Sequence, residues 1–295
     1  MRRQFRDTIM DLASQDAKII LILSDISVYL FNEFKDKYPD RFYNMGICEN
    51  TLISIAAGLS SQGFFPFVHT IAPFATERSF EQIKLDMCYN QFGGNIVTCG
   101  ASFDYAHDGA THHCYTDLAI LRMLPGVEVI QPGSRRELDI LLRSQYNNGK
   151  TTYFRLSDYP HDIAIPTEYV NVEFGKGIVL WDSSSKLTVM TAGPILGNVM
   201  KACRDLGVNL VYFHTIKPID KELIARFKDT EILVIHDAFG LYEAICEVPN
   251  LSVSYHGLPD KFYEGYGTLQ DARREIGLDT ESIRSKICST KEKLS

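Results

Sequence analysis

The sequence lacks the features by which membrane, secreted and nucleic-acid-binding proteins are usually recognised. No apolar run approaches the ~20 residues of a membrane span, so we expect no membrane partner. The net charge is −7 and the lysines and arginines are scattered, which argues against a nucleic-acid partner. The seven cysteines are widely spaced and never form a CxxC pair, which favours reduced thiols over disulfides or a zinc site. These absences predict a cytoplasmic protein.

Three motifs of common enzyme classes are also missing. No GxGxxG follows a predicted strand, no GxxxxGK(S/T) phosphate loop occurs, and no GxSxG is present. Their absence excludes the usual nicotinamide, nucleotide and hydrolase signatures. Any catalytic function must therefore depend on other residues.

Apolar segments of strand length alternate with helical patterns, which is typical of an α/β chain with a mainly parallel sheet. A capping box formed by Ser134 and Glu137 predicts that another helix begins there. In the first half, strands and helices alternate, starting with a strand, over residues 18–26, 50–63, 66–71, 76–90 and 95–101.

Residues 160–184 interrupt this alternation with two prolines, an FGKG segment and a DSSS segment. Such a composition is typical of a connection between domains. The alternation then restarts at residue 187, and a chain of 295 residues is long enough for two domains. We therefore predict two doubly wound domains with mainly parallel sheets, residues 1–170 and residues 171–295.

Glu49 is the first candidate for a chemical role. It lies in YNMGICENTL, between a short apolar stretch and a helical pattern, so its carboxylate is expected at the edge of buried surface. Such a position suits a carboxyl group that holds or exchanges a proton near neutral pH. Alternatively, Glu49 is an acidic residue in the first turn of a helix, where the helix dipole favours it. Spacing alone leaves both interpretations open.

A second candidate is the loop SFDYAHDGATHHC, residues 102–114, which follows a predicted strand. Loops at the carboxyl ends of parallel strands are where ligands bind. Zinc is one possible ligand of such a loop, but no cysteine pair or HExxH accompanies it, so recognition of a hydroxylated substrate is the better interpretation. The polar residues in question are Asp104, His107, Asp108, His112 and His113.

Several longer segments occur in a recognisable order. FYNMGICENTLISIAAGLSSQGFFPFVHTIAPFATERSFEQI precedes HDGATHH, and DLAILRMLPGVEVIQPGSRREL follows. Together they resemble the pyrimidine-binding domain of the transketolase and deoxyxylulose-phosphate synthase superfamily. TAGPILGNVMKACRDLGVNLVYFHTIKPID and GLPDKFYEGYGTLQDARREIGLDTESI resemble the carboxyl-terminal domain of the same superfamily. The resemblance covers nearly the whole chain and implies the carboxyl-terminal half of a split transketolase.

The resemblance implies thiamine diphosphate as cofactor. In the family, a glutamate that matches Glu49 hydrogen-bonds the aminopyrimidine ring and activates it, which makes Glu49 the first expected catalytic residue. Phe74 in TIAPF matches the aromatic residue that stacks on the ring. Ile71 belongs to the same pocket, and Asp25 in LSDI matches an acidic position near the cofactor, although a helix-capping aspartate is an alternative there.

The resemblance also implies substrate-binding residues. Asp108 and His112 in DGATH match the residues that bind sugar hydroxyl groups near the reacting carbon, and His112 is also expected to act in catalysis. Arg155 in YFRLS and Arg2 resemble arginines that hold the acceptor's phosphate, a task suited to a bidentate guanidinium. No metal ligand is expected on this chain.

Some positions depart from the family pattern. Ile71 and Glu77 stand where aromatic residues are common, Gly100 where a phosphate-binding histidine is usual, and Tyr29 where a serine is usual. Part of the usual phosphate clamp is thus missing. We therefore hypothesise an unusual acceptor, such as a modified or nucleotide-linked sugar.

The family's GDG segment, whose following asparagine helps to bind Mg²⁺ and the diphosphate, is absent. In the family, the cofactor lies between the pyrimidine domain of one protomer and the diphosphate domain of another. The resemblance therefore implies an amino-terminal partner chain that ligates Mg²⁺, in an α2β2 assembly with closed symmetry.

Three alternatives are consistent with the same fold. The β subunit of a 2-oxoacid dehydrogenase shares the domain pair and the glutamate, but the DGATHH loop favours the transketolase and synthase branch. Deoxyxylulose-phosphate synthase performs chemistry of the same class but is normally one long chain. A non-catalytic regulatory subunit is the third alternative, because a fold does not prove activity.

Overall fold

The computed structural model describes residues 1–161, 163 and 172–294. Within these residues, the chain forms a seven-stranded and a five-stranded sheet, with helices between most successive strands. Parallel pairing predominates in both sheets, because helical connections return the chain to the same edge before the next strand begins. The predicted α/β class with mainly parallel sheets is confirmed.

The strands of the first sheet are, in spatial order, β10 (Thr215–Lys217), β5 (Val127–Ile130), β6 (Thr151–Arg155), β4 (Gly94–Cys99), β3 (Phe65–Ile71), β1 (Ile19–Leu23) and β2 (Phe42–Asn44). The strands of the second sheet are β12 (Ser252–His256), β11 (Glu231–Ile235), β8 (Leu187–Ala192), β9 (Asn209–Phe213) and β7 (Gly177–Trp181).

The helices of the first half are α1 (Arg2–Gln15), α2 (Asn32–Lys37), α3 (Glu49–Ser61), α4 (Ala72–Thr76), α5 (Phe80–Gln82), α6 (Asp117–Arg122) and α7 (Arg135–Gln145). Helix α5 continues as a π-helical segment over Ile83–Tyr89. The helices of the second half are α8 (Leu196–Cys203), α9 (Lys221–Ala225), α10 (Leu241–Cys246), α11 (Leu269–Glu275) and α12 (Thr280–Glu292).

The order of strands in the first sheet creates a crevice. After β1, the chain adds β2 on one side of it and then β3 and β4 on the other side. In open parallel sheets, ligands bind outside the carboxyl ends of the strands where the order reverses in this way. The segments that follow β1, β3 and β4 therefore frame the expected site.

Strand β1, with the sequence IILIL, is buried at every position. This is expected of a central parallel strand, because helices cover both faces of the sheet. Burial of each large aliphatic side chain contributes about 1.5–3 kcal/mol relative to exposure, so the sheet is a rigid base for the loops at its edge.

Two strands differ from the sequence prediction. β7 lies inside the stretch that was expected to be an irregular connection, and it pairs antiparallel with β9. The sequence segment VNLVYFHTIKPID, residues 208–220, has the pattern of one strand and a turn, but residues 215–217 form the separate strand β10 and pair antiparallel with β5 of the first sheet. The second half of the chain thus supplies an edge strand to the first sheet.

The predicted domain boundary between residues 170 and 171 cannot be placed on this fold. Residues 162 and 164–171 lie outside the described residues, so the division into 1–170 and 171–295 stays a prediction. The two halves also share one buried cluster that includes Leu118, Met190 and Phe213. In the part of the chain that the structure describes, no helix is long and apolar enough to cross a membrane.

Candidate active site

Glu49 lies at the crevice as the first residue of α3, and its side chain is 2% exposed. Its Oε1 accepts hydrogen bonds from Ser24 Oγ at 2.9 Å and Thr70 Oγ1 at 3.4 Å. Its Oε2 accepts a hydrogen bond from the Arg78 guanidinium at 2.7 Å. A buried carboxylate requires such partners, so these donors satisfy both oxygens and fix the orientation of the group.

Arg78 contacts both Phe74 and Glu49, so these two residues lie close together. The guanidinium carbon of Arg78 lies 4.3 Å from the centroid of the Phe74 ring, within cation–π distance. Phe74 is partly buried, whereas the Arg78 side chain remains 45% exposed. The crevice therefore contains a buried acid next to an aromatic face, with a flat cation against both.

The loop between residues 102 and 114 brings His112 to the same place. Backbone hydrogen bonds between Ser102 and Cys114, of 2.7 and 2.9 Å, close the base of the loop. The His112 ring then packs edge-on against Phe74, with 5.2 Å between ring centroids. Glu49, Phe74 and His112 are thus brought together as neighbours.

Asp108 lies at the exposed tip of this loop. Its Oδ2 is 3.5 Å from His107 Nε2, and both side chains are largely accessible. The following residue, Gly109, has a φ of +79°, a conformation that glycine adopts at little cost. The ring of Tyr266 lies so close that a Cβ at Gly109 would be 2.7 Å from it. Asp108 is free to meet a ligand from the solvent side.

The other two polar residues of the loop point into the protein. Asp104 is buried and accepts hydrogen bonds from the Asp158 backbone N–H and Ser157 Oγ, at 2.7 and 2.9 Å. Burial raises the pKa of Asp104 to about 7, although these hydrogen bonds favour the charged form. His113 is buried beside Phe103, and burial lowers its pKa. These residues hold the loop rather than face the crevice.

Arg2 is not a free cation. It forms a bidentate ion pair with Asp158, with distances of 3.1 and 2.9 Å, at a cleft of about 490 Å³ that Arg135 also lines. The Tyr105 hydroxyl donates to the same carboxylate at 3.2 Å. A Cβ at Gly100 would lie 2.5 Å from the Tyr105 ring, so the glycine at this position makes room for the tyrosine.

The prediction that Arg155 holds the acceptor's phosphate is wrong for this structure. Its side chain is 1% exposed, and its Nε donates to Asp117 Oδ2 at 2.7 Å. A second nitrogen donates to Ser102 Oγ and to the Cys114 carbonyl oxygen. Arg155 is therefore fully engaged inside the protein, where it fixes the base of the loop.

The remaining predicted residues lie around the crevice without contacting Glu49. Ile71 ends β3 and is buried against Gly100. Asp25 is exposed, has a φ of +52°, and exchanges hydrogen bonds with Asn44. The alternative that Asp25 caps a helix is wrong, since Ser27 precedes the next helical turn. Cofactor binding by Ile71 and Asp25 stays a prediction.

Arg78 is the important residue that sequence reasoning missed. It lies in the turn that follows α4, where its backbone N–H donates to the Pro73 carbonyl oxygen at 3.1 Å. No motif in the sequence marked it. Ser24 and Thr70 were missed as well, because nothing local marks them as partners of Glu49.

No set of three or more His, Cys, Asp or Glu side chains within residues 1–161, 163 and 172–294 is arranged to hold a metal ion.

Comparison with known proteins places this geometry in a family. Residues 1–158 match the family described as "Transketolase, pyrimidine binding domain". An apulose-4-phosphate transketolase subunit from Phocaeicola vulgatus is 31% identical over 302 residues, which cover 96% of this chain and 94% of that protein. The 1-deoxy-D-xylulose-5-phosphate synthase of Citrobacter koseri is 30% identical, over 96% of this chain and 47% of the relative.

A solved structure described as "Split gene transketolase, inactive beta4 tetramer" superposes with a TM-score of 0.86 at 26% identity. The match covers 98% of this chain and 97% of that one. The chain belongs to the transketolase family. The predicted resemblance to the carboxyl-terminal half of a split transketolase is confirmed by these near full-length matches.

Proposed function

We propose that this chain is the pyrimidine-binding subunit of a two-component transketolase, which transfers a two-carbon ketol unit between sugars with thiamine diphosphate as cofactor. The observation that carries the proposal is the buried carboxylate of Glu49 beside the face of Phe74. The cofactor would supply the carbon nucleophile that accepts the ketol unit. The residues fit its ring, because the flat Arg78 guanidinium already donates to Glu49 and lies over Phe74.

Glu49 would hold a proton at the nitrogen of the aminopyrimidine ring. Ser24 and Thr70 orient its Oε1 from the sheet side, so Oε2 faces the crevice, where it now meets Arg78. Phe74 would position the ring through apolar contact. A fixed carboxylate at this position acts through proton transfer, which typically contributes 10²–10⁴ to a rate.

Asp108 and His112 would bind the sugar. His112 contacts Phe74, so a hydroxyl group near the reacting carbon is within reach of its imidazole, and Asp108 offers a carboxylate from the open side. The loop is fixed at its base by the buried Arg155, so these side chains are presented on a rigid support.

The two arginines that were expected to bind the acceptor's phosphate, Arg2 and Arg155, support the hypothesis of an unusual acceptor. Arg2 is neutralised by Asp158, and Arg155 is buried, so neither is available as the expected phosphate clamp. We propose that the acceptor meets this chain through hydroxyl groups rather than through a phosphate held by these two arginines. Comparison of a phosphorylated with an unphosphorylated acceptor sugar tests this; a large preference for the phosphorylated sugar contradicts it.

We further propose an amino-terminal partner that holds Mg²⁺ and the diphosphate, in an α2β2 assembly. The Phocaeicola vulgatus relative is named as one subunit of a transketolase, and the superposed structure is that of a split-gene enzyme. Both support a division of the enzyme between two chains. All seven cysteines are free thiols, which supports a reducing, cytoplasmic location.

Reconstitution tests the proposal. The chain is mixed with its amino-terminal partner, thiamine diphosphate and Mg²⁺, and cofactor binding is measured by calorimetry and ketol transfer by product analysis. Binding and transfer are expected only when both chains are present. Failure of the pair to bind thiamine diphosphate contradicts the proposal.

The synthase reaction is the second candidate, because the Citrobacter koseri enzyme aligns with this chain over 96% of its length. The same mixture distinguishes them, since a synthase consumes a 2-oxoacid donor with loss of carbon dioxide and a transketolase consumes a ketose. Release of carbon dioxide from a 2-oxoacid, without transfer from any ketose, favours the second candidate.

A further inference from the structure

Arg78 makes two contacts that the cofactor ring is also expected to make. Its guanidinium donates a hydrogen bond of 2.7 Å to Glu49 Oε2, the acceptor proposed for the ring nitrogen. The same group lies 4.3 Å from the centroid of Phe74, the face proposed to stack on the ring. We propose that Arg78 occupies the ring's position when the cofactor is absent, and that thiamine diphosphate displaces it. This inference rests on the proposed function and concerns how its site is controlled.

The two occupants compete for one face of Phe74. Stacked groups are in contact when their carbon atoms are about 3.5–4 Å apart, so a guanidinium at 4.3 Å from the ring centroid leaves no room for a second flat group on that face. Glu49 Oε2 also accepts from Arg78, while Oε1 accepts from Ser24 and Thr70. Entry of the ring on this face of Phe74 therefore requires Arg78 to move.

Arg78 is able to move because only one end of the pair is buried. Its side chain is 45% exposed, whereas Glu49 is 2% exposed. When Arg78 leaves, its charge returns to water at little cost, but Glu49 stays buried and needs a new donor. A ring that brings an N–H donor to Glu49 satisfies this requirement, and a ring that only accepts hydrogen bonds does not.

Arg78 shields Glu49 and Phe74 from solvent until the cofactor binds. Without the cofactor, Arg78 keeps the Glu49 carboxylate satisfied and covers Phe74 from solvent. With the cofactor, binding must first break the Arg78 contacts, which lowers the apparent affinity. A partly exposed ion pair and a cation–π contact together are expected to weaken cofactor binding by about fivefold to thirtyfold.

Substitution of Arg78 in the two-chain complex tests the inference. Arg78→Met removes the competing cation and the hydrogen bond, so calorimetric titration with thiamine diphosphate and Mg²⁺ should give a dissociation constant about fivefold to thirtyfold lower. The chain on its own should melt at a lower temperature, because Glu49 loses its charged donor. An arginine needed to hold the cofactor gives the opposite result, weaker binding, and overturns the inference; so does an unchanged affinity.

Two further variants keep the test decisive. Arg226→Met is the matched control, because Arg226 also lies over an aromatic ring, that of Phe227, at 5.9 Å in the second half of the chain. It should leave cofactor affinity unchanged. Arg78→Lys keeps the charge against Glu49 but loses the flat face. The affinity of this variant for thiamine diphosphate should therefore lie between those of the wild type and Arg78→Met. If Arg78→Met does not fold, Arg78→Lys provides the test.

A nuclear magnetic resonance measurement reports the movement directly. The Nε–Hε signal of Arg78, identified by its loss in Arg78→Met, should shift toward that of an exposed arginine when thiamine diphosphate binds the complex. A signal that stays unchanged at saturation overturns the inference.

If the wild-type complex binds no thiamine diphosphate, the proposed function fails and this inference with it. If the complex binds it and Glu49→Gln weakens binding while Arg78→Met changes nothing, only the inference about Arg78 fails.

Discussion

Two ion pairs near the crevice differ in the exposure of their cations. In the pair of Glu49 and Arg78, the carboxylate is 2% exposed and the arginine 45% exposed. In the pair of Asp117 and Arg155, the two side chains are 0% and 1% exposed. The first pair can exchange its cation for a ligand, because the cation regains water when it leaves. The second pair cannot, because separation leaves two charges buried. Exposure of one partner, rather than the presence of a charge, thus marks a binding position.

The largest expected effect comes from breaking the exchangeable pair at its buried end. Glu49→Gln keeps the shape of the side chain but removes the carboxylate that holds the ring's proton, so ketol transfer by the reconstituted enzyme should fall about 10²–10⁴-fold. Steady-state rates at saturating cofactor measure this. Activity equal to wild type would mean that Glu49 does not activate the cofactor ring.

The next effect concerns the pair that cannot exchange. Arg155→Met leaves Asp117 as an uncompensated buried charge, so the free energy of unfolding should fall by about 3–5 kcal/mol. Denaturant unfolding of the chain measures it. Arg143→Met, which removes surface ion pairs with Asp11 and Asp139, is the control and should change stability far less. Equal effects of the two substitutions would contradict the contrast between the pairs.

Asp104 extends the comparison to a buried carboxylate that forms no ion pair with any residue the structure describes. Its pKa of about 7 lies above the ordinary value of 3.8, so the folded state binds the proton more tightly than the unfolded state. Stability from this group is present below about pH 4 and is lost as pH rises toward 7, by roughly 1 kcal/mol per pH unit. In Asp104→Asn, this part of the pH dependence should disappear. Melting temperatures between pH 4 and 8 measure it, and an unchanged slope would refute the assignment.

The smallest expected effect is a change in the KM for the acceptor, caused by breaking the ion pair of Arg2 with Asp158. Asp158→Asn removes the charge that neutralises Arg2 but keeps an acceptor for the Tyr105 hydroxyl. The KM for a phosphorylated acceptor should fall about two- to fivefold, with little change for an unphosphorylated sugar. Asp7→Asn, which removes the carboxylate beside Arg6, is the matched control. A parallel fall for both acceptors would argue against a role for the freed arginine.

Much of the fold was predictable because it is local. The apolar segment 18–26 and the helical pattern 50–63 correspond to β1 and α3, because the apolar pattern within each segment indicates the type of element. β10 was not predictable in the same way. Residues 215–217 have strand character, but their partner is β5, and no periodicity in the segment itself identifies it.

The site shows the same division. Motif order indicated Glu49, Phe74 and His112, and the structure brings them together. Motif order also indicated Arg155 as a ligand residue, but the sequence does not show that Asp117, 38 positions away, takes up its charge inside the protein. Residue types at a site follow from local sequence, whereas their partners depend on the tertiary fold.

The edge strand β10 has a consequence for how this polypeptide can be divided. A fragment that stops near residue 170 lacks residues 215–217, so the backbone groups of β5 that pair with them become an open edge. Open edges recruit strands from other molecules, so such a fragment should self-associate even if its own sheet forms. Any attempt to isolate the first half for study therefore needs residues 215–217, or a substitute strand, to cover β5.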